Sequence, residues 1–443
     1  MNRRGFLCAL ASSGALAGLS CRAVKAKGRR PVLFTLSRYG CGRATAYSKS
    51  NKLVSIGQKT HAAWLDSQDG TFWARIRTLD RATGHWSPTY TVGEAHDNHG
   101  GPALAADADG HLHIVYFPHH HPFRYRRSRR PNDASAWTDE AQVGARCTYP
   151  CLVVRPDGTL LLTCRESTKA QWLLNLYHKP PDGAWAGPRT LFHGVAPKGY
   201  TQWQSSLAFS PDGAMLHMAW HIYEAGCGYA ACYLRSPDGG ESWQRSDGTK
   251  VELPATPATV DLVDGVRQPK KGMQMRAGGM AVGPDGTPWV PYYFGDRTPP
   301  EGWLARPDGK GGWHRIPLLP WIRTRWPERG IAFADNAAFD RHGTLYVALT
   351  TIVPDGKDAW GHPSREVVLL VSKDQARSFE AFEVSPPDPT TANWFPSLER
   401  PTCREPIGVP SLIYMHGEKG KGCDDILSNE VVFCDIPTLL RRQ

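Results

Sequence analysis

Long apolar runs are missing from this 443-residue chain. No uninterrupted stretch of about 18 apolar residues occurs, which excludes a multi-spanning membrane protein. Charge is scarce, at 21% of residues against a typical ~25%. Acid is scarcer than base, 42 against 52. Helical periodicity is also lacking, because proline, 36 in all, interrupts nearly every candidate segment. Glycine and proline together make about 18% of the chain, short of a disordered low-complexity composition. The chain is long enough to bury a core without disulfide staples.

The first residues are set apart from the rest. Asn2-Arg3-Arg4-Gly5-Phe6-Leu7 places twin arginines ahead of an apolar stretch ending near Leu19, and Val24-Lys25-Ala26 offers a small-residue cleavage site. This predicts a twin-arginine export signal over residues 1–26, too short and too rich in small residues for a stable membrane anchor. It also predicts a periplasmic or secreted protein. The signal carries four basic residues and no acid, so the formal charge of +10 falls to +6 without it. In an exported protein that excess favours anionic polysaccharide over nucleic acid as partner. Of 11 cysteines two lie in the signal. The odd remainder leaves at least one thiol outside any disulfide.

What the chain has in quantity is turns. Asp-Gly pairs recur from Asp69-Gly70 to Asp355-Gly356, with His342-Gly343 as a variant. Such pairs tolerate the positive φ of hairpin turns. β-rich runs follow many of them, among them His111–Tyr116, Thr159–Thr163, Met215–Trp220 and Thr344–Leu349. A pattern of apolar residue, turn glycine and Leu/Met recurs with its glycines at 110, 158, 213, 286 and 343. A period near fifty residues indicates four-stranded propeller blades. Ser236-Pro-Asp-Gly-Gly-Glu-Ser-Trp243 reads as an Asp-box hairpin, and Ser372–Phe379 as a degraded copy. The expectation is an all-β protein, a single β-propeller over residues 27–443 with seven blades, six or eight being the alternatives. Cys423–Pro437 and Val32–Ser37 are expected to close the ring, which removes exposed strand edges.

Chemistry-bearing residues crowd one interval. His99 in His96-Asp-Asn-His99-Gly-Gly-Pro102 enters a strand, and His119-His120-His121 lies beyond the next, before Pro122-Phe-Arg124. The following repeat places Tyr149 at the position of His99 and Arg165 near that of His119. Tyr200 and Trp203 stand in the same register one repeat further on. The ordinary reading of each alone is core tyrosine, solvated arginine or loop histidine. Their shared register instead predicts one rim, where two histidines, a tyrosine and an arginine suit carboxylate recognition beside proton transfer.

These residues, with Phe123–Ser128 and Thr148-Tyr149-Pro150, follow an order that resembles the BNR-repeat propeller polysaccharide lyases, above all the ulvan lyases of polysaccharide lyase families twenty-four and twenty-five. The resemblance implies β-elimination on a uronate polymer, giving an unsaturated uronate end. It assigns His99 and Tyr149 to proton transfer, His119 and Arg165 to the carboxylate, and Tyr200 to a further active-site role. His120 stands as the alternative to His119, and His120, Arg124, Arg165 and Trp203 as substrate contacts. The run Cys164-Arg165-Glu166-Ser167 lacks the glycine-rich loop expected after that arginine, a departure that leaves room for different subsites. Such an elimination requires no cofactor. A structural zinc or calcium remains open, with His221, Cys227 and Cys232 beside His217 as zinc candidates and disulfide pairing or plain burial as the competing readings. A monomer is expected. The rival functions are a sialidase-like glycoside hydrolase and a non-catalytic carbohydrate-binding propeller using Trp172, Trp203 and Trp394.

Overall fold

A computed structural model describes residues 32–169, 171–194, 201–357, 359–403 and 405–442. The export signal and Tyr200 therefore lie outside the described residues. Among the described residues the only α-helices are the five-residue segments Leu319–Arg323 and Ile436–Leu440, each opened by a proline. None is long and apolar enough to cross a membrane. Everything else regular is antiparallel sheet, as the turn pattern predicts.

The repeat glycines mark one structural position. Gly110, Gly158, Gly213, Gly286 and Gly343 all take φ between 74° and 83°. Each sits in the turn joining the first two strands of a meander, as between Ala103–Ala106 and Leu112–Tyr116, or Gly330–Phe339 and Leu345–Ile352. Only a residue without Cβ adopts this conformation cheaply. The Asp box spans a later turn of its meander. Asp238 Oδ1 accepts from Ser236 Oγ at 2.8 Å and from the Ser242 amide at 2.8 Å, while Trp243 is buried beneath. The degraded copy keeps the same bonds through Asp374, with Phe379 replacing the tryptophan.

Closure follows the expected segments. Strand Leu33–Gly40 pairs antiparallel with Asn429–Cys434, Leu33 opposite Cys434, so the two ends of the described chain share one sheet. Hydrophobic clusters lie between successive meanders. One joins Leu161 and Leu174 to Leu216 and Trp220, and another joins Trp64 and Phe72 to Trp394 and Phe433. Each meander thus buries both faces against its neighbours, which supplies the main stabilising term.

One segment, residues 41–52, belongs to no meander yet is buried along most of its length. Thr45 Oγ1 bonds to the Phe395 carbonyl and Ser48 Oγ to the Asp335 carbonyl, both at 2.8 Å. Arg400 holds the Lys49 carbonyl at 2.7 Å, and the Leu104 amide reaches the Asn51 carbonyl at 2.7 Å. These partners lie in or beside the first strands of three different meanders, which therefore face one another across the segment. The segment forms the floor of a cleft.

The zinc candidates do not assemble. Strands Leu216–Glu224 and Cys227–Ser236 pair with His221 opposite Ala231 and Trp220 opposite Cys232. Period-two alternation therefore puts Cys232 and His221 on opposite faces of the sheet. Cys232 packs with Trp220 in one hydrophobic cluster while Ala231 lies in another. His217 donates to or accepts from Tyr233 Oη at 2.6 Å instead. Among the described residues Cys41, Cys147, Cys151, Cys164, Cys227, Cys232, Cys423 and Cys434 are free thiols.

Candidate active site

A cleft of about 220 Å³ opens above residues 41–52. Its walls come from the entries of successive first strands: His99, Tyr149, Gln202 and Gln204, Arg276, Phe333 and Asp335, and Phe395, with Arg43, Tyr47 and Lys49 from the floor segment. Three of these aromatics are held with positive φ: Tyr47 at 65°, Tyr149 at 61° and Phe395 at 54°. Tyr149 and Phe395 each sit where strand register shifts, between Thr148 and Cys151 and between Trp394 and Ser397. Bulges re-aim side chains at such sites, and left-handed φ in a bulky residue costs of order 1–3 kcal/mol. Three strained aromatics thus meet in the cleft.

His99 is the most elaborately held of the predicted residues. Asp97 Oδ1 takes the His99 backbone N–H at 2.7 Å and lies 3.3 Å from Nδ1, while Asp97 Oδ2 meets His119 Nδ1. The two imidazoles stack with centroids 3.9 Å apart. With Nδ1–H of both rings directed at one carboxylate, Nε2 of His99 carries the lone pair, and Arg43 Nη1 donates to it. Burial alone would raise Asp97, but the hydrogen bonds from His119 and His99 outweigh it and hold its carboxyl well below the usual range. Burial pushes His99 down to about 4 against the opposing bond to Asp97, with the Arg43 and His119 charges adding to the fall. His99 is a neutral base.

The histidine run resolves. His119 joins the Asp97–His99 pair, whereas His120, with φ 66°, turns toward Ser167 Oγ at 3.3 Å and the edge of Trp172. Tyr149 lies across the cleft from His99, ring centroids 6.5 Å apart, and its hydroxyl accepts from Gln202 Nε2 at 3.3 Å. Arg165 is 1% exposed and does not line the cleft. Its guanidinium lies under the Tyr149 ring at 4.7 Å and over Trp172 at 4.5 Å, donating to the Thr201 carbonyl at 2.7 Å and Thr148 Oγ1 at 3.1 Å. The sequence reading that set it on the substrate carboxylate gives way to a supporting position behind Tyr149. Trp203, 1% exposed, packs edge-on against Phe192 in the core, and Arg124 pairs with Glu140 and stacks on Phe117 outside the cleft lining. Neither is placed to touch a ligand in the cleft.

Sequence reasoning missed Arg43, Lys49, Arg276 and Asp335. Arg43 bonds Asn98 Oδ1 at 3.1 Å and stacks on Trp360 at 5.7 Å. Two groups bring metal-ligating atoms within 4.8 Å of one another: Asp97, His99, His119 and Cys423, and Cys147, Cys164 and Glu166. In the first, the Arg43 guanidinium already delivers positive charge at His99, which works against a second cation. In the second, Glu166 is saturated by Tyr177 Oη at 2.6 Å, Asn175 Nδ2 at 2.7 Å and the Ala145 amide at 2.9 Å.

Antiparallel meanders, joined where the two ends of the described chain pair and surrounding one polar cleft, define a β-propeller. The chain belongs to the BNR repeat-containing family, whose profile matches residues 57–321, more than half of its length. Among solved structures it is similar to a family twenty-five ulvan lyase bound to -[GlcA(1-4)Rha3S]-, at 13% identity and TM-score 0.66, covering 90% of this chain and 94% of that one. It is likewise similar to the polysaccharide lyase Uly1, at 13% identity and TM-score 0.57, covering 90% and 92%. No curated protein matches in a search by sequence.

Proposed function

We propose that this protein is a polysaccharide lyase that cleaves a uronic-acid-containing, ulvan-like anionic polysaccharide by β-elimination. The observation that carries the reading is the neutral His99 imidazole, its Nε2 held by Arg43, set across one cleft from Tyr149. Arg43, with His119 behind it, neutralises the uronate carboxylate, so that charge growing there on loss of the C5 proton meets donors already in place. As Arg43 turns from His99 Nε2 to the carboxylate, the freed Nε2 lone pair takes that proton. Tyr149 gives its own to the departing glycosidic oxygen, and the C4–O bond breaks as the C4–C5 double bond forms. Arg165 holds the Tyr149 ring. The residues named perform the elimination without a redox step.

The test is incubation with a panel of uronate polysaccharides, reading the ultraviolet absorbance of the unsaturated product. Absorbance rising with new chain ends supports a lyase. New reducing ends without absorbance identify a hydrolase, and binding without cleavage identifies a carbohydrate-binding propeller. A second expected result concerns acidity. The acid limb of kcat/KM reports the free base. Because His99 lies near 4, the active neutral form persists as pH falls through 6.5 and is lost only near pH 4. An acid limb at or above pH 6.5 would remove His99 as the base.

The ring is read as seven-bladed. In support, hydrophobic clusters link each meander to the next, from the Val54–Ile114 cluster round to the Trp64–Phe433 cluster that joins last to first. Residues 1–26 are proposed as a twin-arginine signal preceding a single catalytic domain, delivering a periplasmic or secreted monomer.

A further inference from the structure

Lys49 differs from the other buried lysine of the floor segment. Lys52 points its ammonium at the carbonyls of Tyr47, Ser50 and Pro102, at 3.4 to 3.5 Å, and is structurally committed. Lys49 is 7% exposed and lines the cleft, yet among the described residues no hydrogen bond or ion pair reaches its ammonium. The Lys49 ammonium opens on the cleft with no acceptor among the described residues, where an anion can reach it.

Its surroundings lack a compensating anion. The cleft wall carries Arg43, Lys49 and Arg276 against one carboxyl, Asp335. Asp335 is already bonded by Thr350 Oγ1 at 2.8 Å, and burial pushes it up to about 7, so it answers the cations poorly. Burial, with Arg276 and Arg400 adding and Asp335 opposing, pushes Lys49 down to about 7. An arriving anion would restore its proton.

Arg276 shows where such an anion would sit. Its guanidinium stacks on Tyr223 at 4.2 Å and donates to Gln274 Oε1 at 2.9 Å and to Gln202 Oε1. Gln202 in turn donates to the Tyr149 hydroxyl. Arg276 therefore lies on the Gln202 side of Tyr149, and Lys49 lines the same cleft near enough to feel the Arg276 charge. If Tyr149 stands at the scissile oxygen, this side faces the sugar across that bond.

We infer that Lys49 and Arg276 form a second anion subsite, which takes a sulfate ester or a second carboxylate on the sugar adjacent to the uronate. The inference rests on the cleft being the polysaccharide site. Sulfate and carboxylate share the required chemistry, several acceptor oxygens with a full negative charge.

The direct test is a titration with sodium sulfate, against sodium chloride at matched ionic strength, reading thermal unfolding temperature. The wild type should show a saturable sulfate-specific rise. Lys49→Met should bind at least tenfold more weakly, Lys49→Arg should recover much of the loss, and His99→Ala should keep the response. Arg276→Gln repeats the test should Lys49→Met fail to fold. Sulfate binding in both Lys49→Met and Arg276→Gln equal to wild type would overturn the subsite, as would a wild type with no sulfate-specific response. The source of the anion is read from KM of Lys49→Met on sulfated and chemically desulfated polymer. A larger rise on the sulfated polymer identifies a sulfate ester, and equal rises identify a second carboxylate. Lys49-dependent sulfate binding in a protein that cleaves no uronate polymer would sink the lyase reading and leave the anion site standing.

Discussion

His99→Ala is expected to lower turnover by about a hundredfold to ten-thousandfold, the usual cost of losing a positioned general base. Tyr149→Phe should fall in the same range through loss of the general acid. Both should leave polymer affinity largely intact, because they handle protons that move only in the transition state. The geometry sharpens the expectation for His99. Asp97 is fixed between two imidazole Nδ1 atoms, which sets the tautomer and leaves the His99 Nε2 lone pair on the Arg43 side, to be freed when Arg43 takes the carboxylate. Single-turnover elimination, followed by absorbance with binding measured separately, checks both variants. Near-normal elimination in either would refute the assignment of that residue.

Much of the fold was legible because its signals are local. A turn glycine at φ near 80° needs no tertiary context, and five such positions at fifty-residue spacing imply repeated meanders. The end-to-end pairing of Leu33–Gly40 with Asn429–Cys434 followed from the need to remove strand edges. The failed zinc set shows the limit of spacing alone. Ligand spacing along a chain ignores the alternation that sends Cys232 and His221 to opposite faces. The short helices were missed because five-residue segments carry no period.

The site was legible where the repeat reached it. His99 and Tyr149 stand eleven and nine residues ahead of their turn glycines, Gly110 and Gly158. The same count would have found two missed groups: Arg276 lies ten residues ahead of Gly286, and Phe333 ten ahead of Gly343. The repeat also misled. Trp203 falls ten ahead of Gly213, but alternation along the strand entry turns Gln202 and Gln204 to the cleft and Trp203 to the core. Arg43 and Lys49 had no such signal. They sit on a segment that pairs with no repeat, and only the assembled first strands reveal it as the floor.

The last expectation separates the two arginines. Arg43→Ala should lower kcat/KM by about a hundredfold to a thousandfold, the scale for removing a donor to developing negative charge. Binding should weaken as well, because the carboxylate is charged before reaction. Arg165→Ala should also be damaging, but by a different route. It leaves the Thr148 hydroxyl and Thr201 carbonyl without their donor and opens a void beneath Tyr149, so stability falls with activity. Added guanidinium distinguishes the two. Arg43 lines the open cleft, and a free guanidinium ion can enter there to restore part of the lost rate. Arg165 is sealed between Tyr149 and Trp172, where no ion can follow. Elimination rates of both variants, with and without guanidinium, together with their unfolding temperatures, decide the matter. Rescue of Arg165→Ala, with none for Arg43→Ala, would return the carboxylate to Arg165.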